Sequence, residues 1–119
     1  MDMKQYKRSI RLSEQLLRDI SSFFLAELND GAPALITFTH VKLTDDLKYA
    51  TIYYSCLGTD EQAGSSQNYL NKHKKTIRQH IGRNLHTRFI PEFTFKFDTS
   101  IAEGIKIEKL LNEINEDNK

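Results

Sequence analysis

Basic side chains are concentrated in one stretch of this chain, and their spacing favours contact with phosphate groups. Between Gln62 and Pro91 the sequence contains no aspartate or glutamate, although the whole chain has a net charge of only +1. Like charges on a folded element repel one another, and a polyanion relieves that repulsion, so the stretch predicts RNA or DNA as partner. The lysine and arginine residues in it are Lys72, Lys74, Lys75, Arg78, Arg83 and Arg88.

The densest part of this stretch is the segment from Lys72 to Arg78, which also contains His73. On a helical wheel Lys72, Lys75 and Arg83 share the face opposite the apolar residues. An ordinary solvated helix face is the alternative. Solvated faces usually place opposite charges four residues apart, however, and this stretch does not. We therefore predict that the cluster contacts phosphates.

Two further basic positions leave their role open. Arg88 precedes a predicted strand, where it would either contact RNA or stabilise a helix C-terminus through the helix dipole. Arg8 and Arg11 form either a second RNA-binding patch or a solvated N-terminus. All three are kept as candidates.

The sequence supports metal binding and catalysis less well than it supports nucleic-acid binding. His73, His80 and His86 have no cysteine or acid nearby to complete an ordinary ligand set, so we predict that they add positive charge or stack on bases. The pair Asp45-Asp46 stands between two predicted strands and is typical of a turn. Because the chain has no catalytic triad motif, phosphate-binding loop or dinucleotide fingerprint, we predict a protein that is not an enzyme and needs no cofactor.

The composition predicts a single domain with one core. The chain has 119 residues, of which 39% are hydrophobic, and no apolar run approaches the roughly 20 residues that cross a bilayer. Cys56, the one cysteine, fits a reducing cytoplasm and a buried position. Residues 1–119 are thus expected to form one domain, with a core over about 8–111 and a frayed end at 113–119.

Hydrophobic periodicity predicts an α+β fold in which helices pack on one face of a sheet. A helix is expected from Arg8 to Leu28, with Ile10, Leu17, Ile20, Phe24 and Leu28 on its apolar face. Two strands, Leu35–Leu43 and Tyr49–Leu57, form a hairpin, and 58–66 is expected to be a loop. A basic helical region over Gln67–Phe89 follows. A third strand carries Phe93, Phe95 and Phe97 on its core face, and a short last helix begins at a capping box over Ser100–Glu103.

Two details of this pattern matter below. Strict alternation in the first strand places Val41 and Leu43 on one face and Ile36 and Phe38 on the other. In the basic helix Lys74 occupies a position of the apolar stripe formed by Leu70, Ile77, Ile81 and Leu85. Either its stem runs to the surface or the helix breaks near Lys72–Lys75, and we favour the break.

Three stretches together resemble the ribosome-binding factor A family. They are VKLTDDLKYATIY at 41–53, IR at 77–78 with LHTRFIPEFTF at 85–95, and DTSIAEG at 98–104. Arg8 and Arg11 are similar to the paired basic residues that open the first helix of that family. The similarity covers about 8–111, in the same order and spacing.

This resemblance implies a type II KH-like fold with a mixed three-stranded sheet. It also implies a monomeric factor that binds the immature 30S ribosomal subunit on its 16S rRNA. Such a factor would support late maturation and 16S rRNA 5′-end processing, be important in the cold, and have no nuclease activity of its own. A general KH-like RNA-binding module and a protein-interaction adaptor with an incidental basic face remain the alternatives.

The chain departs from the pattern of the family in one short segment. The family usually has Ala-x-Gly at a kink between two helices, and here those residues are His73-Lys74-Lys75. A residue with a Cβ is penalised at a positive φ, so a tight kink is harder to form, while two positive charges are added.

Overall fold

Two helices pack on a mixed three-stranded sheet in the computed structural model, which describes residues 3–85 and 89–100. The elements are α1 (Met3–Glu27), a 3-10 turn (Asn29–Gly31), β1 (Leu35–Leu43), β2 (Tyr49–Leu57), α2 (Asp60–Asn84) and β3 (Glu92–Phe97). The strand order is β1-β2-β3, with β1 antiparallel and β3 parallel to β2. The predicted α+β class is thereby confirmed, as are the bounds of β1 and β2.

Helix α1 buries one row of side chains spaced four residues apart. Leu12, Leu16, Ile20, Phe24 and Leu28 all belong to the core. This spacing fits a helix of 3.6 residues per turn lying along a sheet. Ile10 was predicted on the same face, but it is 41% exposed. The buried row runs through Ser9 and Leu12 at this end of α1, and Ile10 lies at least about 100° around the helix from both.

A β-bulge in β1 overturns the strict alternation expected there. Phe38 pairs with Tyr54 and His40 pairs with Tyr53, so Thr39 is an extra residue with no partner on β2. A bulge shifts the side-chain phase by one position. Residues before and after it therefore point into the same core: Ile36, Phe38, Val41 and Leu43.

The turn between β1 and β2 is fixed by Asp46, as expected of an Asp-rich turn. Its carboxylate accepts hydrogen bonds from Thr44 Oγ1 at 2.6 Å and from the Lys48 main-chain N–H at 3.0 Å. These two bonds lower the pKa of Asp46. Leu47 next to it has φ = 62°, a left-handed conformation that the aspartate-stabilised turn imposes.

Helix α2 begins earlier than the sequence analysis predicted. Residues 58–66 were expected to be a loop, but α2 starts at Asp60 behind a capping box. Thr59 Oγ1 accepts from the Gln62 N–H at 3.2 Å, and Gln62 Oε1 accepts from the Thr59 N–H at 2.8 Å. Two N–H groups that would lack partners are satisfied in this way, which sets the helix start.

The predicted break near Lys72–Lys75 is wrong, because α2 runs for 25 residues without interruption. A break would leave up to four N–H and four C=O groups without helical partners. Lys74 is instead half-buried. No side-chain nitrogen or oxygen is buried without a hydrogen-bond partner in the described residues, so the ammonium of Lys74 reaches the surface past a covered stem.

Polar contacts attach the first half of α2 to the sheet. The Tyr54 hydroxyl donates to Gln67 Oε1, and Gln67 Nε2 donates to the Phe95 carbonyl at 2.9 Å. Phe93 and Phe95 lie in the core as predicted, whereas Phe97 is partly exposed. Cys56 was expected to be buried, but it is only half-buried, with its Sγ 3.5 Å from Ser66 Oγ.

Some expectations fall outside the described residues. They concern the capping box that ends at Glu103, the short last helix and the frayed end at 113–119.

None of the helices in the described ranges is long and apolar enough to cross a membrane.

Candidate nucleic-acid interface

Three of the predicted phosphate-binding side chains share one exposed side of α2. Lys72, Lys75 and Arg83 are exposed, while Leu70, Ile77 and Ile81 on the opposite side are buried. At 1.5 Å per residue, the eleven steps from Lys72 to Arg83 span about 16 Å of helix axis. We call these three residues the basic face. Its length suits several consecutive phosphates of one nucleic-acid strand.

Lys74 lies on the flank of α2 that faces β3. Gln67 and Arg78, on the same flank, both donate hydrogen bonds to β3 or to the segment before it. Lys74 therefore stands at the edge of the buried side of α2, apart from the basic face, and its ammonium reaches the surface on the flank near β3.

Arg78 is turned away from the basic face. Its Nε donates to the Pro91 carbonyl at 3.1 Å and its Nη2 donates to the Ile90 carbonyl at 3.3 Å. The guanidinium also lies 3.5 Å from Glu92 Oε1 and 5.9 Å from the ring centre of Phe93. Arg78 thus fixes the connection between α2 and β3, and most of its donors already have partners.

The histidines of α2 that the structure describes pack against aromatic rings. The His73 ring lies 4.5 Å from that of Tyr69, and the His80 ring is stacked on Phe23 of α1 at 4.2 Å. Both histidines are half-buried. His80 packs between the two helices and His73 packs on a residue of its own helix, and these contacts make both rings poor candidates for stacking on bases. His86 and Arg88 lie outside the described residues.

Acidic residues lie in the first turn of α2 and on the part of α1 that is close to His80 in the second half of α2. Asp60 and Glu61 occupy the first turn of α2, where they stabilise the positive end of the helix dipole. Arg83 in the last turn complements the negative end. On α1, Asp19 and Glu27 line a shallow depression together with His80. The dipole explains the charges at the two ends of α2, but it does not explain Lys72 and Lys75 in the middle.

Arg8 and Arg11 are exposed, and they stand more than ten residues along α1 from its aromatic contacts with α2. Those contacts come from the C-terminal half of α1, through Phe23 and Phe24. Arg8 and Arg11 stand in the N-terminal half of α1. The structure therefore does not bring them into one cluster with Lys72 and Lys75.

A second surface was missed by the sequence analysis. The face of the sheet turned away from α1 and α2, here called the outer face, carries His40 and Tyr53 with ring centres 5.6 Å apart. Strict alternation along β1 concealed the phase change at the bulge. The pairing of His40 with Tyr53 can be recognised only once the register is known.

The possible metal ligands do not gather into a site in the described part of the chain. Among residues 3–85 and 89–100, no three histidine, cysteine or acidic side chains lie close enough to hold a metal ion. A groove between α1 and β1 is lined by apolar residues such as Ile10 and Leu17 together with polar ones such as Ser13 and Glu14.

Comparison with known proteins gives consistent matches over most of the chain. Residues 8–111 match the family model described as ribosome-binding factor A. The chain is 43% identical over 108 residues to ribosome-binding factor A of Citrifermentans bemidjiense, and the match covers 91% of each chain.

Two sets of coordinates for ribosome-binding factor A, one of them a crystal structure, share the fold. One is the crystal structure of ribosome-binding factor A from Thermus thermophilus, with a TM-score of 0.65 and 21% identity over 75% of this chain and 93% of that chain. The other is a homology model of the Thermus thermophilus factor, fitted into a cryo-EM map of its complex with the 30S subunit. Its TM-score is 0.60 at 22% identity, over 73% of this chain and 91% of that chain.

Proposed function

The chain belongs to the ribosome-binding factor A family, and from this membership we propose that it binds the 30S ribosomal subunit through 16S rRNA. The observation that carries the proposal is the basic face. Lys72, Lys75 and Arg83 line an uninterrupted helix with no acidic residue between them. Such an arrangement neutralises phosphates and releases their counterions, which makes binding strong and dependent on salt.

The protein acts, on this proposal, as a monomeric assembly factor in the cytoplasm. It holds an immature arrangement of the 30S subunit because it binds that arrangement more tightly than the mature one. A ligand shifts an equilibrium between two states only by its difference in affinity for them, so no chemical step is required. Release of the protein then accompanies maturation.

The finer biological role is part of the same proposal. We assign the protein to late maturation of the 30S subunit and to 16S rRNA 5′-end processing, with the greatest need at low temperature. The support is the similarity of three motif stretches and of the matched region 8–111 to the family. Cells that lack the protein are then expected to grow poorly in the cold and to accumulate 16S rRNA precursors.

Sedimentation of the purified protein with 30S subunits, 50S subunits and whole ribosomes across a salt series tests the proposal. Contact with about four to six phosphates predicts a log–log salt slope of roughly −3 to −5. The double variant Lys72→Gln/Lys75→Gln should bind more weakly and lose roughly 1.4 to 1.8 from that slope, because two contacts are removed.

The matched control is Arg18→Gln/Lys48→Gln, which removes two positive charges at exposed positions away from the basic face. This control should keep the slope of the natural chain. Equal binding to both subunits would instead indicate a general RNA-binding module. Binding that does not respond to salt would indicate a protein-interaction adaptor and would exclude a phosphate-binding role for the basic face.

A further inference from the structure

The outer face of the sheet presents an aromatic pair between basic side chains. His40, Tyr53 and Lys96 occupy adjacent positions on β1, β2 and β3, because His40 pairs with Tyr53 and Tyr53 pairs with Lys96. Neighbouring strands are about 4.8 Å apart, so this row crosses the sheet in about 10 Å. Lys42 lies two residues beyond His40 on the same face.

These side chains are accessible in the described part of the molecule. His40, Lys42 and Lys96 are exposed, and Tyr53 is half-buried. The side chains that pack on α1 and α2 belong to the other face of the sheet, among them Ile52 and Phe95. Within the described residues, an aromatic ring therefore remains accessible in the centre of this β-surface.

Two lysines, Lys42 and Lys96, flank the rings on this surface, and the carboxylate of Asp98 lies near enough to His40 for a charge interaction. Among the described residues, the carboxylates of this surface stand at the two ends of β3, and both are already engaged. Glu92 pairs with Arg78 at 3.5 Å, and Asp98 accepts a hydrogen bond from Thr39 at 2.6 Å. Within residues 3–85 and 89–100, neither Lys42 nor Lys96 forms an ion pair with a carboxylate. Both ammonium groups are thus available to an anionic ligand.

We infer that the outer face binds single-stranded RNA, with one base stacked on the Tyr53–His40 pair and phosphates held by Lys42 and Lys96. An unpaired base exposes the flat surface that stacking needs, whereas a duplex does not. The inference rests on the proposed RNA-binding function and extends it. It adds a surface separate from the basic face and specifies single-stranded RNA as its ligand.

An ordinary solvated sheet face is the alternative. Antiparallel strands commonly place polar residues outward, and Thr51 and Thr94 on the same face fit that description. A cross-strand ring pair can also stabilise the sheet by itself. The two possibilities differ in whether a base comes into contact with Tyr53, which can be measured directly.

Tryptophan fluorescence provides the measurement, because the chain contains no tryptophan. Tyr53→Trp introduces a single indole on the outer face of the full-length protein. Titration with a twelve-nucleotide oligouridylate should quench its emission, whereas an RNA duplex of equal charge should not. The matched control Leu25→Trp replaces an exposed residue of α1, and its emission should remain unchanged.

Affinity measurements on the same oligouridylate complete the test. Tyr53→Ala should weaken binding about tenfold, whereas Tyr53→Phe, which keeps the ring, should stay within about twofold. Lys96→Gln should reduce the salt slope by about 0.7, and Lys48→Gln in the hairpin turn should not. Far-UV circular dichroism of each variant shows whether it is folded.

The outcomes separate this inference from the proposed function. Quenching that persists in the background of Lys72→Gln/Lys75→Gln supports an independent outer-face site, even if binding to the 30S subunit is lost. An exposed but unquenched indole in a protein that still binds 30S subunits overturns the inference alone. Emission already at the wavelength of a buried tryptophan before RNA is added would mean that protein covers this face, which also overturns it.

Discussion

Thr39 donates a hydrogen bond from its Oγ1 to Asp98 Oδ2 over 2.6 Å, and this bond joins the bulge of β1 to the residue after β3. The two strands are not neighbours in the sheet, since β2 lies between them. Asp98 also accepts from the main-chain N–H of Ser100 at 2.9 Å. One carboxylate therefore ties the irregular part of β1 to the point where the chain leaves the sheet.

Asp98 should make the stability of the protein depend on pH in the acid range. Hydrogen bonds from Ser100 and Thr39 lower the pKa of Asp98 from 3.8 to about 2. A carboxyl with a lowered pKa contributes stability above its unfolded pKa and loses it as the pH falls through the folded value. Urea unfolding between pH 5 and pH 2 should show this loss in the natural chain, and Asp98→Asn should have a flatter profile over the same range.

Thr39→Val tests the donor side of the hydrogen bond between Thr39 and Asp98. It removes the hydroxyl and keeps a branched side chain, so the pKa of Asp98 should rise part of the way toward 3.8. An NMR titration of the Asp98 carboxyl measures this rise. An unchanged pKa would show that Ser100 alone holds the carboxylate.

Arg78 should affect folding more than it affects RNA binding. Arg78→Met removes two hydrogen bonds to the Pro91 and Ile90 carbonyls. Bonds from a charged donor contribute about 1.5 to 3 kcal/mol when they are well shielded. Because the side chain is 29% exposed, we expect a loss of about 1 to 2 kcal/mol in urea unfolding. The salt slope for 30S binding should not change, and a slope lower by nearly one would show that Arg78 contacts a phosphate.

Arg78→Lys separates geometry from charge in this position. Lysine keeps the positive charge but cannot reproduce the two directed bonds of the guanidinium. Most of the loss seen with Arg78→Met should therefore remain. Full recovery of stability by lysine would mean that the charge near Glu92, and not the carbonyl contacts, is what stabilises the connection.

Substitutions at Tyr54 and Gln67 should have strongly coupled effects on the free energy of unfolding. The Tyr54 side chain is 1% exposed, and its hydroxyl donates to Gln67. Gln67→Ala leaves that hydroxyl and the Phe95 carbonyl without partners, so we expect a loss of about 2 kcal/mol, whereas Tyr54→Phe should lose about 1 kcal/mol. In a double-mutant cycle by urea unfolding the two losses should not add, since each change removes the same bond. Additive losses would contradict the contact.

Lys75 provides a test of the continuous helix. The position is exposed and lies in the interior of α2. At an exposed position inside a helix, glycine lowers the stability of the folded protein by about 1 kcal/mol relative to alanine. Lys75→Gly should accordingly unfold at a lower urea concentration than Lys75→Ala. The opposite order would indicate a left-handed residue at this point, and hence the kink that the family resemblance implies.

Local sequence patterns predicted the sheet better than the long helix. Branched and aromatic residues with turn formers on both sides gave the bounds of β1 and β2. The bulge could not be predicted, because Thr39 is as acceptable in a regular strand as in a bulge. The start of α2 was missed because Gly64 and Ser65 resemble a loop, although Thr59 and Gln62 carry a capping-box signal that was present in the sequence.

The sequence predicted some residues of the candidate site correctly and others incorrectly, depending on whether helical periodicity determines their position. The exposed side of α2 follows from helical periodicity, so Lys72, Lys75 and Arg83 were placed correctly on a surface. The inward position of Arg78 depends on how the chain returns from α2 to β3, which no periodic pattern reveals. The error at Lys74 came from favouring a break in the helix over the other possibility, that its long stem carries the ammonium group to the surface.

The placement of charge along α2 limits which part of the helix can lie against a polyanion. The helix is about 37 Å long, with Asp60 and Glu61 at one end and Lys72, Lys75 and Arg83 over the remainder. Phosphates beside the first turn would stand against the two acidic residues, whereas phosphates beside the second half of the helix would stand against the basic face. Repulsion disfavours the first arrangement and attraction favours the second. The charge pattern of a single helix thus restricts where a nucleic-acid strand can lie along it before any base has been recognised.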